Sequence, residues 1–308
     1  MRNIQVYTTI AVALIYAMFV PFLEPSLNTF FAVLIFLMAF SIVAKNYVIL
    51  AIILYTGVTV LSHTYLYPDQ TVLRHLALGT ALSALTLLHV TLLMGPLAKF
   101  NTTFAKLLKH RRNVGVSVFL LALFHAMLII GKYYDFKPEY IYSLTSNYYG
   151  SISLIILSML AATSFNYFQY KMPLKYYNVI HTGGLIFYVL YTTFLLQMGF
   201  LEFGIYNYAL TIVFVAFWLL TAPWTLPRTL FLKVNAWKQL HYLVYLAYIA
   251  VIVHAWTGYF AFEKLPMQIV FWGMFLLVII VHTAGWIKKL INKRKLQLNI
   301  NEVQNDNQ

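Results

Sequence analysis

Residues 72–95 read VLRHLALGTALSALTLLHVTLLMG, and this stretch decides the class of fold. Arg74 is its only charged side chain. A helix needs about 20 apolar residues to cross the hydrocarbon core of a bilayer. Because no water in that core can pair with the backbone, an apolar run of this length predicts a transmembrane α-helix.

The same pattern recurs along the chain and predicts an all-α, polytopic membrane helix bundle of about ten transmembrane helices. Of the 308 residues, 62% are hydrophobic and only 9% are charged. Soluble domains carry roughly 25% charged residues, so a soluble enzyme and a nucleic-acid-binding domain are excluded. The predicted spans are residues 4–23, 28–44, 47–66, 72–95, 113–133, 150–170, 176–198, 204–222, 239–260 and 267–287.

The basic residues predict that both chain termini are cytoplasmic. With the N-terminus inside, the cytoplasmic segments are residues 1–3, 45–46, 96–112, 171–175, 223–238 and 288–308. Cytoplasmic loops carry an excess of Lys and Arg. These segments hold every basic residue except Arg74, Lys132, Lys137 and Lys264. We therefore expect a multi-pass integral membrane protein, of the kind found in a prokaryotic cytoplasmic membrane.

Several kinds of chemistry are excluded by composition. The chain has no cysteine, so disulfides, iron–sulfur clusters and thiolate metal sites are ruled out. No carboxylate lies in the middle of a predicted span, which weighs against an ion-coupled transporter. The loops are too short for a nucleotide-binding unit, and no glycine-rich phosphate motif occurs.

Nine histidines in so apolar a chain are the unusual feature. Their depths follow from the predicted orientation and a helical rise of about 1.5 Å per residue. An inner layer, toward the cytoplasm, contains His89, His181, His241 and His282. An outer layer contains His63, His75, His125 and His254.

Two layers of imidazole suggest two hemes stacked along the membrane normal. Imidazole nitrogens bind heme iron without adding protein charge. A ligand pair must come from different helices at equal depth, which His125 and His254 satisfy in the outer layer. In the inner layer His181 and His241 do so, and His89 is the competing ligand.

The spacing of the histidines leaves the exact pairing open. His241 and His254 are 13 residues apart, which on a straight helix is a rotation of roughly 140°. One helix face cannot then serve both hemes. This is compatible with two ligands that meet different neighbouring helices, or with a local bulge in the helix. His75 and His89 are nearly in line and are a second possible double-ligand helix.

A histidine in a membrane helix can also be an interhelical hydrogen-bonding residue with no ligand role. We favour this interpretation for His63, His75 and His282. His110 lies in a basic loop, where a lipid-facing interfacial role is favoured.

Two motifs resemble the ferric reductase-like transmembrane family. Trp237, Leu240, His241, Tyr245 and His254 match a W-x-x-L-H-x-x-x-Y…H helix of that family. Arg111, Arg112, Gly115 and His125 match a second motif, R-R-x-x-G followed by His. The likeness is closest to the heme-binding membrane subunit of the methionine sulfoxide reductase system and covers roughly residues 72–260. A weaker copy of the first motif runs from Tyr177 through His181 to Tyr188.

The resemblance implies three units in the chain. Residues 1–71 would form three N-terminal transmembrane helices that precede the family's bundle. Residues 72–260 would form the ferric reductase-like heme-binding bundle, with His125, His241 and His254 as heme ligands and His181 as a further candidate. Residues 261–308 would form the last transmembrane helix and a basic cytoplasmic tail.

We therefore expect a membrane cytochrome b with heme b, most simply two hemes, as the electron-transfer subunit of a ferric reductase-like system. The flavin and nicotinamide domains of that family are absent from this sequence. A separate donor, a flavoprotein or a quinol, would supply electrons on the cytoplasmic side to an outer acceptor protein or ion. The alternatives are a histidine-containing transporter or channel, and a non-heme structural subunit of a membrane complex.

Overall fold

The computed structural model describes residues 34–35, 37–39, 41, 46–133, 145–164, 179, 181–190, 212, 215–216, 218, 240–263 and 265–306. Within these residues the chain forms α-helices and short 3-10 helices, and no β-strand. The all-α prediction is thus confirmed for the part of the chain that is described.

Eight α-helices and two 3-10 helices are described. The α-helices are α1 (Tyr47–Leu66), α2 (Val72–Leu97), α3 (Thr102–Leu107), α4 (Arg111–Tyr133), α5 (Thr145–Ala162), α6 (His181–Leu190), α7 (Leu243–Gly258) and α8 (Leu265–Asp306). The 3-10 helices are η1 (Leu108–His110) and η2 (Phe260–Phe262).

The described residues do not support the predicted count of about ten transmembrane helices. The span 4–23 lies outside them, and the spans 28–44, 176–198 and 204–222 lie only partly within them. Four described segments are long and apolar enough to cross a membrane: Tyr47–Leu66, Val72–Leu97, Thr102–Gly131 and Met267–Arg294. Three shorter apolar helices accompany them: Ser146–Ala162, His181–Leu190 and Leu243–Gly258.

Two helices extend beyond the spans predicted for them. The span predicted at 150–170 begins earlier, because α5 starts at Thr145 and carries Tyr148 and Tyr149 fully into the core. The last span, predicted at 267–287, is part of a much longer helix, since α8 continues to Asp306. In addition, the helix containing His241 is interrupted by a turn at Tyr242 before α7 begins.

Polar side chains cap the N-termini of three helices, α1, α2 and α3. The Asn46 side chain accepts a hydrogen bond from the Ile49 backbone N–H at 3.3 Å, and Thr71 accepts from the Arg74 N–H at 3.4 Å. The Asn101 side chain accepts from the Thr103 N–H at 2.8 Å. Such caps satisfy backbone donors that have no partner within the helix.

Helix α2 is central, because α1, α4 and α8 all pack against it, while α5 packs mainly against α7. The contact between α1 and α2 is close at Gly79. A Cβ atom there would lie 2.6 Å from a Val60 side-chain atom, so only glycine allows this approach. The shared core combines residues of α2, α4, α5 and α7, among them Leu88, Val118, Ile156 and Leu246.

The bundle has two ends that differ in charge. At one, here called the inner end, Lys99 donates to the Gly285 carbonyl at 3.4 Å and Arg112 donates to the Ser164 carbonyl at 3.4 Å. At the other, the outer end, the Tyr67 hydroxyl donates to the Glu263 carboxylate at 3.0 Å. These contacts group the helix ends as the predicted topology does; which end faces the cytoplasm stays a prediction.

Candidate paired-histidine site

His125 on α4 and His254 on α7 lie side by side in the outer half of the bundle. Their ring centroids are 6.1 Å apart, and the ring planes are inclined by 64°. The two residues are far apart in sequence, and their equal depth was the basis for pairing them. The structure brings the two side chains together; their role as metal ligands stays a prediction.

Each of these imidazoles is held by a backbone carbonyl on a neighbouring helix. Nδ1 of His125 lies 2.8 Å from the Ala77 carbonyl oxygen, and Nδ1 of His254 lies 2.7 Å from that of Ser146. A carbonyl only accepts, so each Nδ1 carries the proton and donates it. Each Nε2 then presents a lone pair, which is the tautomer that metal-binding histidines commonly adopt.

Gly150 on α5 leaves room for the His254 ring. A Cβ atom at this position would lie 2.9 Å from both Cε1 and Nδ1 of the imidazole and 3.3 Å from Cγ. Distances under 3.0 Å are essentially never seen for Cβ atoms. A glycine is therefore required for the ring to lie flat against α5.

Both rings line a cavity of about 550 Å³ between α2, α4, α5 and α7. Ligand pockets of roughly 300–1,000 Å³ are typical for small molecules and cofactors. The lining is mainly apolar, from residues such as Leu85, Val118 and Leu157. Besides the two histidines, the polar residues of the lining are Ser146, Asn147, Ser151, Ser153, Thr257 and Tyr259.

The geometry fits a heme iron. With a metal–nitrogen distance of about 2.0 Å on each side, two imidazoles bound through one nitrogen each would have ring centroids roughly 6 Å apart. The observed separation is 6.1 Å. Two neutral nitrogen donors facing an apolar cavity are also a suitable donor set for heme.

His89 on α2 has one nitrogen engaged and one free. Its Nδ1 lies 2.7 Å from the Leu85 carbonyl oxygen, so this nitrogen donates, whereas Nε2 is buried without a hydrogen-bond partner. The ring packs edge-on against Tyr248 of α7, with centroids 5.4 Å apart. His89 thus presents a buried lone pair at the inner side of the bundle.

His181 and His241 have different neighbours. The His181 ring packs against Trp218 at 5.7 Å, and its backbone carbonyl accepts from the Trp218 indole at 2.9 Å. Nε2 of His241 lies 3.4 Å from the Ser164 hydroxyl, just beyond the end of α5. The pairing of His181 with His241 stays a prediction.

The histidines interpreted as packing residues also form specific contacts. Nε2 of His282 lies 3.3 Å from the Tyr245 hydroxyl. His63 and His75 face each other at the outer end, with 3.0 Å between their Nδ1 atoms. This second pair was not predicted from the sequence. The two residues lie at equal distances, six positions, from Asp69 in the turn between α1 and α2, and this equal spacing could have indicated that they meet across the two helices.

Fold and site together define a helical integral membrane protein with two paired histidines over an apolar cavity. The model of the family described as ferric reductase like transmembrane component matches residues 80–192. This match supports a role in electron transfer within a membrane. Searches of curated proteins and of solved structures found no match.

The match covers only part of the predicted resemblance. It contains His89, His125 and His181, and it ends before His241 and His254. The earlier copy of the tryptophan–histidine motif is therefore inside the match, and the stronger copy is outside it. The closer likeness to the methionine sulfoxide reductase subunit is not confirmed.

Proposed function

We propose that this chain is a b-type heme protein that carries electrons across a membrane, and that His125 and His254 bind one heme iron. The observation that carries the proposal is the His125–His254 pair itself. Both rings face one apolar cavity, and both have Nδ1 engaged by a backbone carbonyl.

The protein groups around this site have distinct tasks. Heme, when bound, supplies one-electron redox chemistry, and the protein supplies ligation, orientation and a low dielectric. The Ala77 and Ser146 carbonyls hold the ligand tautomer and raise the basicity of Nε2. The aliphatic lining excludes water.

A second, inner heme is part of the proposal. His241 precedes His254 by 13 residues, or about 20 Å along a helix, which would place two hemes one above the other. His181 and His89 are the candidate partners of His241. The unpaired, buried Nε2 of His89 supports His89, because a buried nitrogen without a partner is costly unless something binds it.

The remaining features of the sequence interpretation belong to the same proposal. They are about ten transmembrane helices, both termini in the cytoplasm and a prokaryotic cytoplasmic membrane. The chain would act as the electron-transfer subunit, closest to the methionine sulfoxide reductase type. A flavoprotein or quinol would be the donor inside, and a protein or ion the acceptor outside.

A pyridine-hemochrome assay on the purified full-length chain tests the proposal. We expect a reducible b-type spectrum with about two hemes per chain. His110→Ala is the matched control, because His110 lies in η1, away from the cavity, and should leave heme content unchanged. A single heme would refute the inner site, and no heme would refute the function.

A further inference from the structure

His63 and His75 form a hydrogen-bonded pair inside the outer end of the bundle. They are only 3% and 2% exposed, and their Nδ1 atoms are 3.0 Å apart. At this distance one Nδ1 donates and the other accepts. Nε2 of His63 is buried and has no hydrogen-bond partner.

The unpartnered nitrogen decides the direction of this hydrogen bond. If His63 accepted at Nδ1, its only N–H would be at Nε2, buried and unpaired. Orphaned buried N–H groups are rarer in proteins than orphaned acceptors. We therefore assign the donor to His63 Nδ1, which leaves Nε2 as a basic lone pair. Protonation there would strengthen the bond to His75, because a charged donor makes a stronger hydrogen bond.

A tyrosine that packs against this pair is hydrogen-bonded to a carboxylate at the outer end. The His63 ring lies against the Tyr67 ring at 4.8 Å, and the Tyr67 hydroxyl donates to Glu263 at 3.0 Å. Burial raises the pKa of the Tyr67 phenol, and the neighbouring Glu263 raises this pKa further, so the hydroxyl stays protonated. Glu263 is partly exposed at the outer end.

The pair is also connected to the proposed heme site. The Ala77 carbonyl that holds His125 lies two residues after His75 on α2. Around it α1, α2 and α4 form a small buried cluster that includes Val60, Leu76 and Phe124. An electron added at the His125–His254 site thus places negative charge near the pair in a medium of low dielectric.

The titratable and charged groups around the pair come from each packed segment. Arg74 is on α2, Tyr67 follows α1, and Glu263 follows η2. Arg74 carries a positive charge and Glu263 a negative one. On α4, His125 is engaged with the Ala77 carbonyl.

We propose that His63 Nε2 is a proton-binding site, and that it takes up one proton from the outer side when the His125–His254 site is reduced. This rests on the proposed function. One electron from the donor enters the site, and one proton leaves water at the outer surface to form the Nε2–H bond of His63. On reoxidation the proton returns to the outer solution.

Redox titration of the purified holoprotein at several pH values tests this proposal. Between about pH 5 and 8, where imidazole titrates, the equilibrium constant for reduction should fall by up to tenfold per unit rise in pH. His63→Gln should remove this dependence and keep the heme spectrum. His282→Gln is the matched control, since it changes another histidine that contacts a tyrosine, and it should keep the dependence.

Three outcomes would overturn the proposal. The first is a wild-type reduction potential that does not depend on pH, and the second is a His63→Gln variant that keeps the wild-type pH dependence. In both cases the proposal that the chain binds heme is unaffected. A chain without heme would refute the proposed function and this inference with it. If His63→Gln does not fold, the proposal is tested by measuring proton uptake by the wild-type protein on reduction. Chemical reduction in weak buffer with a pH indicator should consume about one proton per outer heme, and no uptake would refute the site.

Discussion

Replacing Gly150 with alanine should specifically weaken the outer heme site. The new Cβ would lie 2.9 Å from two atoms of the His254 ring. Carbon contacts are optimal from about 3.5 Å, so the ring would have to move by roughly 0.6 Å. Functional sites hold their geometry to within about 0.5 Å. The same movement would disturb the 2.7 Å hydrogen bond from Nδ1 to the Ser146 carbonyl.

The size of the effect follows from the loss of ligand orientation. Disturbing the groups that orient a metal ligand typically costs about 10–100-fold in affinity. At about 1.4 kcal/mol per tenfold change, this is roughly 1.4–2.8 kcal/mol of binding free energy. We expect a loss of this size for the outer heme alone, because the three atoms nearest the new Cβ all belong to His254.

The assay is heme titration of the apoprotein followed by visible absorbance, with Gly273→Ala as the control. A Cβ at Gly273 on α8 would meet nothing within 4 Å. Both changes replace a glycine within a helix, so both gain about 1 kcal/mol of helix propensity. The difference between them therefore isolates the contact with His254. If Gly150→Ala binds heme as tightly as Gly273→Ala, the argument from the His254 ring is wrong.

Three further predictions concern the ligands and the topology. His125→Ala and His254→Ala should each remove the same heme and lower the heme content by about half; different residual spectra would disprove their pairing. His89→Ala should remove the inner heme while the outer spectrum persists, and retention of both hemes in the hemochrome assay would exclude His89 as a ligand. In the cysteine-free chain, a thiol introduced as Asn101→Cys should react with an impermeant reagent only from the cytoplasmic side, and Asp135→Cys only from outside; the reverse pattern would invert the topology.

Hydropathy predicted three helices closely and missed the start of a fourth. The spans 47–66, 72–95 and 113–133 agree closely with α1, α2 and α4, because polar residues such as Asn46 and Thr71 bound each apolar run. The start of α5 was missed because Ser146, Asn147 and the two tyrosines that follow are polar by composition. In the structure these residues face the bundle interior and the cavity rather than lipid, so a helix can include them although they are polar.

The site was predictable only in part. Depth along the spans was enough to pair His125 with His254, because membrane thickness fixes the level of each residue once orientation is assigned. The carbonyl of Ala77 and the role of Gly150 were not predictable. They depend on how the helices rotate about their axes and on contacts between residues far apart in the sequence, which a single sequence does not encode in its periodicity.

The carbonyl of Ala77 has a consequence for how this chain can be divided. The matched stretch, residues 80–192, contains His125 but neither Ala77, which orients its ring, nor His254, which lies opposite it. Gly79, which seats α1 on α2, also lies just outside the stretch. A fragment cut to the matched boundaries would therefore keep one imidazole with no fixed tautomer and lose the side of the cavity that α7 forms. The two imidazoles and the carbonyl that orients the first of them extend from Ala77 on α2 to His254 on α7, so the boundaries of sequence similarity are not the boundaries of the paired-histidine site.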